Sequence, residues 1–145
     1  MTVYSATARS EDAVIDRTDT PPARFTARRQ TPSTAVISVE GDIDAANAPS
    51  FADYALHHCA GAQRVVIDLT EVNFFATAGF SALEQIDEHC GADGANRVLV
   101  ASGAVSRLLR LCDLENTWRT CYSVAAALSA LNGKTPLLQL ITKLH

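Results

Sequence analysis

The pattern that most limits this chain is a pair of short, unbroken apolar runs with a helix-length segment between them. Arg64-Val65-Val66-Ile67-Asp68-Leu69 and Arg97-Val98-Leu99-Val100-Ala101 show no alternation between a wet and a dry face. Strands of that composition are covered on both sides, as in parallel sheets whose crossovers bury each face. Between them, Phe80, Leu83, Ile86 and Cys90 recur at three- and four-residue intervals and so share one side of a helix. Strand, helix and strand in that order make a right-handed crossover unit.

The rest of the chain continues the alternation. Arg24 to Arg29 reads as an edge strand with Phe25 as its one large anchor. Ala35-Val36-Ile37-Ser38-Val39 is β-branched and apolar and stops at Glu40-Gly41-Asp42. In AANAPSFADYALHHC, Asn47 suits an N-cap and Pro49 a first helical turn. Phe51, Ala55 and Leu56 give that helix its inner face, and Gly61 stops it. A short strand from Val72 to Phe75 leads into a second helix starting at Ala76 to Gly79 and ending at Gly91 and Gly94.

Val105, Leu108, Leu109 and Cys112 mark a third helix. Thr117 to Cys121 is a last strand anchored by Trp118, and Ser123 caps a fourth helix carrying Val124, Leu128 and Leu131 and closed by Gly133. The expected class is α/β, a mostly parallel mixed sheet of about five strands with about four helices. Residues 1–22 are polar and close on Pro21-Pro22, so a flexible tail is expected there, with one domain over 23–133. Residues 134–145 place Leu137, Leu138, Ile141 and Leu144 at helical spacing, a C-terminal extension that packs on the core, forms an oligomer contact or frays.

Composition excludes several classes. A 48% hydrophobic chain of 145 residues has the material for one core. A net charge of -4 opposes nucleic acid binding. No run approaches the ~20 apolar residues of a membrane span. The N-terminal residues lack the charged start and apolar stretch of a signal peptide, so a cytoplasmic location is expected. Ten arginines against the two lysines, Lys134 and Lys143, together with many alanines, suit a GC-rich genome.

Four cysteines, Cys59, Cys90, Cys112 and Cys121, then read as reduced thiols by default. His57-His58-Cys59 and His89-Cys90 close the first two helices. Parallel crossovers put both of those ends together, which makes Cys59 and Cys90 a candidate redox pair, or His58 and His89 candidate zinc ligands. Against both, histidine suits the negative end of a helix and cysteine packs as a small core residue. No phosphate loop, metalloprotease helix or nucleophile elbow is present, and Cys112 and Cys121 are too widely spaced for a Cys-x-x-Cys pair. Asp42 and Asp44 have no companion acid, base or nucleophile and read as a loop and binding-surface feature. The expectation is a protein with no catalysis, cofactor or bound metal of its own.

Two segments are more specific. Val39-Glu40-Gly41-Asp42-Ile43-Asp44-Ala45-Ala46-Asn47-Ala48-Pro49 resembles the first motif of the STAS domain family, roughly Gly-acid-Leu-Asp-x-x-Asn-Ala/Thr-Pro. Val66-Ile67-Asp68-Leu69-Thr70-Glu71-Val72-Asn73-Phe74 resembles the second, an apolar strand ending Asp-Leu-Ser/Thr-x-Val-x-Phe. The resemblance covers about residues 24–132 and is to the anti-sigma factor antagonist type. It implies docking on an anti-sigma factor of the GHKL serine-kinase type, which then releases a sigma factor, and a phosphorylation at the second helix that switches docking off. The docking surface it implies joins Gly41, Asp42, Asp44 and Asn47 to Thr77, Ala78, Gly79, Phe80 and Ser81. STAS domains also serve as modules of lipid-transport, transporter and stress-signalling complexes, the alternative the resemblance carries.

One departure matters. The second motif normally continues Asp-Ser-Ser-Gly-Leu, and here it continues Ala76-Thr77-Ala78-Gly79-Phe80. The usual phosphoacceptor is the second serine, so its position is Ala78. Thr77 either takes the phosphate instead, or only caps the helix, or the site is silent. Ser81 reads as an exposed helical serine, and Phe80 as core filler or a partner anchor.

Overall fold

A computed structural model describes residues 14–92, 96–113, 115 and 117–132. The expected extension at 134–145 and residues 1–13 of the expected tail lie outside them. The sheet has six strands in sequence order: β1 (Val14–Thr20), β2 (Ala23–Thr31), β3 (Thr34–Ile43), β4 (Arg64–Phe75), β5 (Asn96–Ala101) and β6 (Thr120–Cys121). The neighbours β1–β2 and β2–β3 pair antiparallel, and β3 to β6 pair in parallel. The helices are α1 (Ala48–Cys59), α2 (Thr77–Ala92), α3 (Gly103–Cys112) and α4 (Val124–Leu131).

The apolar runs of β3, β4 and β5 are sandwiched as their composition requires. Ile37, Val65, Ile67 and Leu99 face α1, α2 and α3, while Val36, Val66, Val98 and Val100 face α4. Successive residues of one strand thus feed two separate cores, because side chains alternate across the sheet. Phe25, 1% exposed, anchors β2 beneath α1, with its ring centroid 6.1 Å from that of Phe51 and 5.2 Å from that of Tyr54. Burial of one such ring contributes about 1.5–3 kcal/mol.

Two expectations need correction. Residues 14–20 are not part of a tail but form β1, paired with β2 from Val14 opposite Arg28 to Thr20 opposite Ala23. This strand offers the core no large side chain, and Val14 and Ile15 are half exposed. It is held by its ladder and by polar contacts instead: the Tyr54 hydroxyl donates to the Asp16 carbonyl at 3.2 Å, and Arg24 pairs with Asp19 at 2.9 Å. Second, the segments 64–69 and 72–75 are one strand. Asp68 spans the middle of it, its carboxylate accepting from the Thr70 amide at 3.1 Å and hydroxyl at 2.7 Å.

The two ends of β4 have different neighbours. β5 pairs with β4 only from Arg64 to Leu69, whereas β3 accompanies it to Phe75. Residues Glu40 to Ile43 and Glu71 to Phe75 therefore form a rim past β5, accompanied by β2 only as far as Gly41. From this rim the chain enters α1 on one strand and α2 on the other.

Candidate functional site at the rim of β3 and β4

Gly41 turns the end of β3 at φ +101°, a conformation that side chains with a Cβ rarely adopt. A Cβ there would also lie 2.3 Å from the Pro22 carbonyl oxygen. That closeness is used, since the Asp42 amide donates to the same oxygen at 3.2 Å. The turn between β1 and β2 is thereby seated on the acidic loop.

Asp44 shapes the loop. Its Oδ1 accepts from the amides of Ala46 at 2.9 Å and Asn47 at 3.1 Å, and its carbonyl accepts from Ala48 at 2.9 Å. Asn47 occupies the cap position of α1 but makes no side-chain cap bond. Its amide turns back instead. Oδ1 accepts from the Asp44 amide and Nδ2 donates to the Asp42 carbonyl, both at 2.9 Å. At 2% exposed, Asn47 positions the loop and is out of a partner's reach.

The second segment is joined to the first by one backbone bond, from the Ala76 amide to the Ile43 carbonyl at 2.9 Å. Strand neighbours sit about 4.8 Å apart, so the head of α2 lies beside the acidic loop. Thr77 is exposed there as the first helical residue. The cap position falls to Ala76, so the reading of Thr77 as the cap gives way to an outward hydroxyl one residue inside the helix. Free N–H groups and a partial positive charge gather at such a point.

Gly79 is buried, and a Cβ on it would come 2.7 Å from the ring of Phe75. Phe75 is core, 5% exposed, and Gly79 lets α2 cross its ring closely. Ser81 is exposed, Ala78 and Phe80 are half-buried, and Gly41, Asp42 and Asp44 are partly accessible. Phe80 and Trp118 line a recess of about 180 Å³ edged by Glu84, Asp87 and Glu88.

The exposed aromatic of the rim is Phe74, 53% accessible and registered opposite Asp42. The motifs do not single it out, although the sequence carries a signal for it. Two adjacent phenylalanines in a strand point to opposite sides, so one of Phe74 and Phe75 must leave the core wherever only one side is covered.

The remaining candidates fall elsewhere. His58 pairs with Asp16 at 3.4 Å and meets the Tyr54 ring at a tilt, centroids 4.5 Å apart, while His89 Nδ1 lies 2.9 Å from the Gln85 carbonyl. They are engaged separately, and no cluster of three or more metal-ligating groups exists among the described residues. Cys59 and Cys90 are brought together: both are buried thiols, and the Cys59 thiol is hydrogen-bonded to Cys90. Cys112 and Cys121 are half-buried. No helix among the described residues is long and apolar enough to cross a membrane.

Known proteins resemble this chain in sequence or in fold. Osmosensory protein A of Mycobacterium tuberculosis is 40% identical over 70 residues, which is 48% of this chain, and the chain spans 44% of that protein's length. An anti-sigma factor antagonist from Mycobacterium paratuberculosis is 26% identical and superposes with a TM-score of 0.70, covering 79% of this chain and 99% of that one. The anti-sigma factor antagonist SpoIIAA in its unphosphorylated form, 13% identical, shares the fold at a TM-score of 0.65 over 77% of this chain and 99% of its own. The STAS domain model matches residues 26–127, from within β2 to within α4. By that match, which takes in the whole β3–β4 rim and the head of α2, the chain belongs to the STAS domain family.

Proposed function

We propose that this protein is an anti-sigma factor antagonist that docks through the β3–β4 rim and the head of α2 on a kinase-like anti-sigma factor, which then frees its sigma factor. The observation that carries the reading is the exposed Thr77 hydroxyl, set beside the acidic loop by the bond from Ala76 to Ile43. A phosphate on Thr77 adds about -1.5 to -2 charge to a face that docking must bury. Asp42 and Asp44 on the neighbouring loop then sharpen the repulsion, which salt screens over about 8 Å at physiological strength. Phe74 supplies the apolar anchor that such a face needs, because aromatic side chains dominate binding hot spots. The antagonist fold and its likeness to the mycobacterial structure support a regulatory binding role in a bacterial cytoplasm, without catalysis.

The test uses the full chain against purified anti-sigma factors of the source organism, with and without ATP. Wild type is expected to bind at least one of them, and the Thr77→Glu variant at least tenfold more weakly. With ATP, a phosphate appears on Thr77 and binding is lost. Failure of both proteins to bind any anti-sigma factor, with capture of a transporter subunit instead, overturns the reading in favour of a STAS scaffold module. Unaltered binding by Thr77→Glu removes Thr77 from the face.

A further inference from the structure

The helices whose N-termini flank the rim meet again at their other ends. Cys59 is the last residue of α1 and Cys90 lies in the last turn of α2, 7% and 5% exposed within one core cluster. Burial of single cysteines is ordinary; two thiols in hydrogen-bonding contact across a helix pair are a chemical arrangement. The hydrogen bond to Cys90 and, after it, burial push the Cys59 thiol well above its ordinary value, so Cys59 keeps its proton. The role of first nucleophile therefore falls to Cys90, with the Cys59 S–H beside it. The Arg29 guanidinium, fixed over the end of α1 by the carbonyls of His58 at 3.2 Å and Ala60 at 3.0 Å, opposes that rise at Cys59 only in small part.

We propose that Cys59 and Cys90 form a reversible intramolecular disulfide when the protein meets a small peroxide. The Cys90 thiolate attacks one oxygen of hydrogen peroxide and breaks the O–O bond. The departing hydroxide takes up a proton and leaves as water, and Cys90 becomes a sulfenic acid. The Cys59 sulfur then attacks that sulfur, the S–O bond breaks, and the expelled hydroxide leaves with the Cys59 proton as a second water. Two thiols lose two electrons, and one peroxide becomes two waters. A dithiol reductant reverses the bridge by exchange.

Two helix C-termini and burial disfavour a thiolate, so the reaction is slow, on the order of minutes to hours. The bridge ties α1 to α2 at the ends opposite the rim. α1 has 12 residues, and at about 1.5 Å per residue the bridge sits roughly 18 Å from the docking face. It leaves that face uncovered while fixing the spacing of the two helices that flank it.

The test treats the folded full chain with hydrogen peroxide, blocks remaining thiols by alkylation, and maps the products by mass spectrometry without reduction. Two of the four thiols are expected to vanish, with one cross-linked peptide joining the Cys59 and Cys90 segments and restored by a dithiol. A Cys112→Ser, Cys121→Ser double variant is expected to give the same bridge, and Cys90→Ser none. Four alkylatable thiols after treatment overturn the proposal, as do bridges confined to Cys112 and Cys121, or Cys90 oxidised beyond sulfenic acid beside an untouched Cys59. These readouts need no partner, so their failure is distinct from failure of the docking proposal.

Discussion

Asn47 is the residue on which the rim depends most. A side chain at the start of a helix ordinarily bonds forward to the first free amides, yet here the amide bonds backward and clamps the Gly41–Asp44 loop. Truncation to alanine removes the side-chain partner of the Asp44 N–H and of the Asp42 carbonyl in a part-buried loop. An orphaned buried group costs about 1–3 kcal/mol. Asn47→Ala is therefore expected to lower the urea unfolding free energy by about 2 kcal/mol and to weaken docking through the loosened loop. Serine at the same place keeps one short bond at most and is expected to rescue little. An unfolding curve matching wild type would show that the clamp adds nothing. Gly41 and Gly79 act differently, as places where another backbone or ring approaches too closely for a Cβ.

At the scale of elements, β1 is the least secure strand and the most sensitive to pH. Its Asp16 sits against His58 of α1, and burial of the imidazole holds His58 below its ordinary value near 6.5, an effect only partly offset by Asp16. The folded state thus binds a proton on His58 less readily than the unfolded chain. Stability is full above about pH 6.5 and declines as pH falls through that value. The Tyr54 hydroxyl is the largest influence holding the Asp16 carboxylate below the usual carboxylate range, so its contribution is present above about 3.8 and lost at lower pH. Both signs agree: acid loosens the hairpin. Amides of Val14–Thr20 are expected to lose hydrogen-exchange protection between about pH 7.5 and about 5.5, and His58→Gln to flatten that dependence. Uniform loss of protection across all strands would place the pH effect outside β1.

For the molecule as a whole, the sequence is legible where chemistry and packing coincide. β3, β4 and β5 can be read because a strand covered on both sides has almost no polar residues, and Val66 and Ile67 serve opposite cores. β1 cannot, because its residues are polar and its position comes from a backbone ladder and from Asp16 and Asp19, which resemble those of any loop. The acidic loop is legible as residues but not as a mechanism: Asn47 does take the cap position of α1, but its side chain bonds backward into the loop and is buried rather than presented as a contact. Thr77 falls on the exposed head of α2 because both segments run along neighbouring strands whose register fixes their separation.

That register also separates folding from the docking proposed above. Core side chains are committed to one of two clusters, whereas Phe74 belongs to neither and stands exposed on the rim. Removing it costs the fold little, since surface substitutions away from special contacts change stability by about 0.5 kcal/mol or less. Losing an aromatic anchor from an interface costs more, above about 1 kcal/mol where it is a hot spot. Phe74→Ser is therefore expected to unfold at the wild-type urea midpoint while binding its anti-sigma factor about tenfold more weakly, since about 1.4 kcal/mol is a factor of ten. Leu111→Ser, at a still more exposed apolar residue near the far end of α3, is expected to change neither property. If calorimetry finds Phe74→Ser binding as tightly as wild type, the acidic loop and Thr77 must carry docking by charge alone, and affinity would then collapse with added salt.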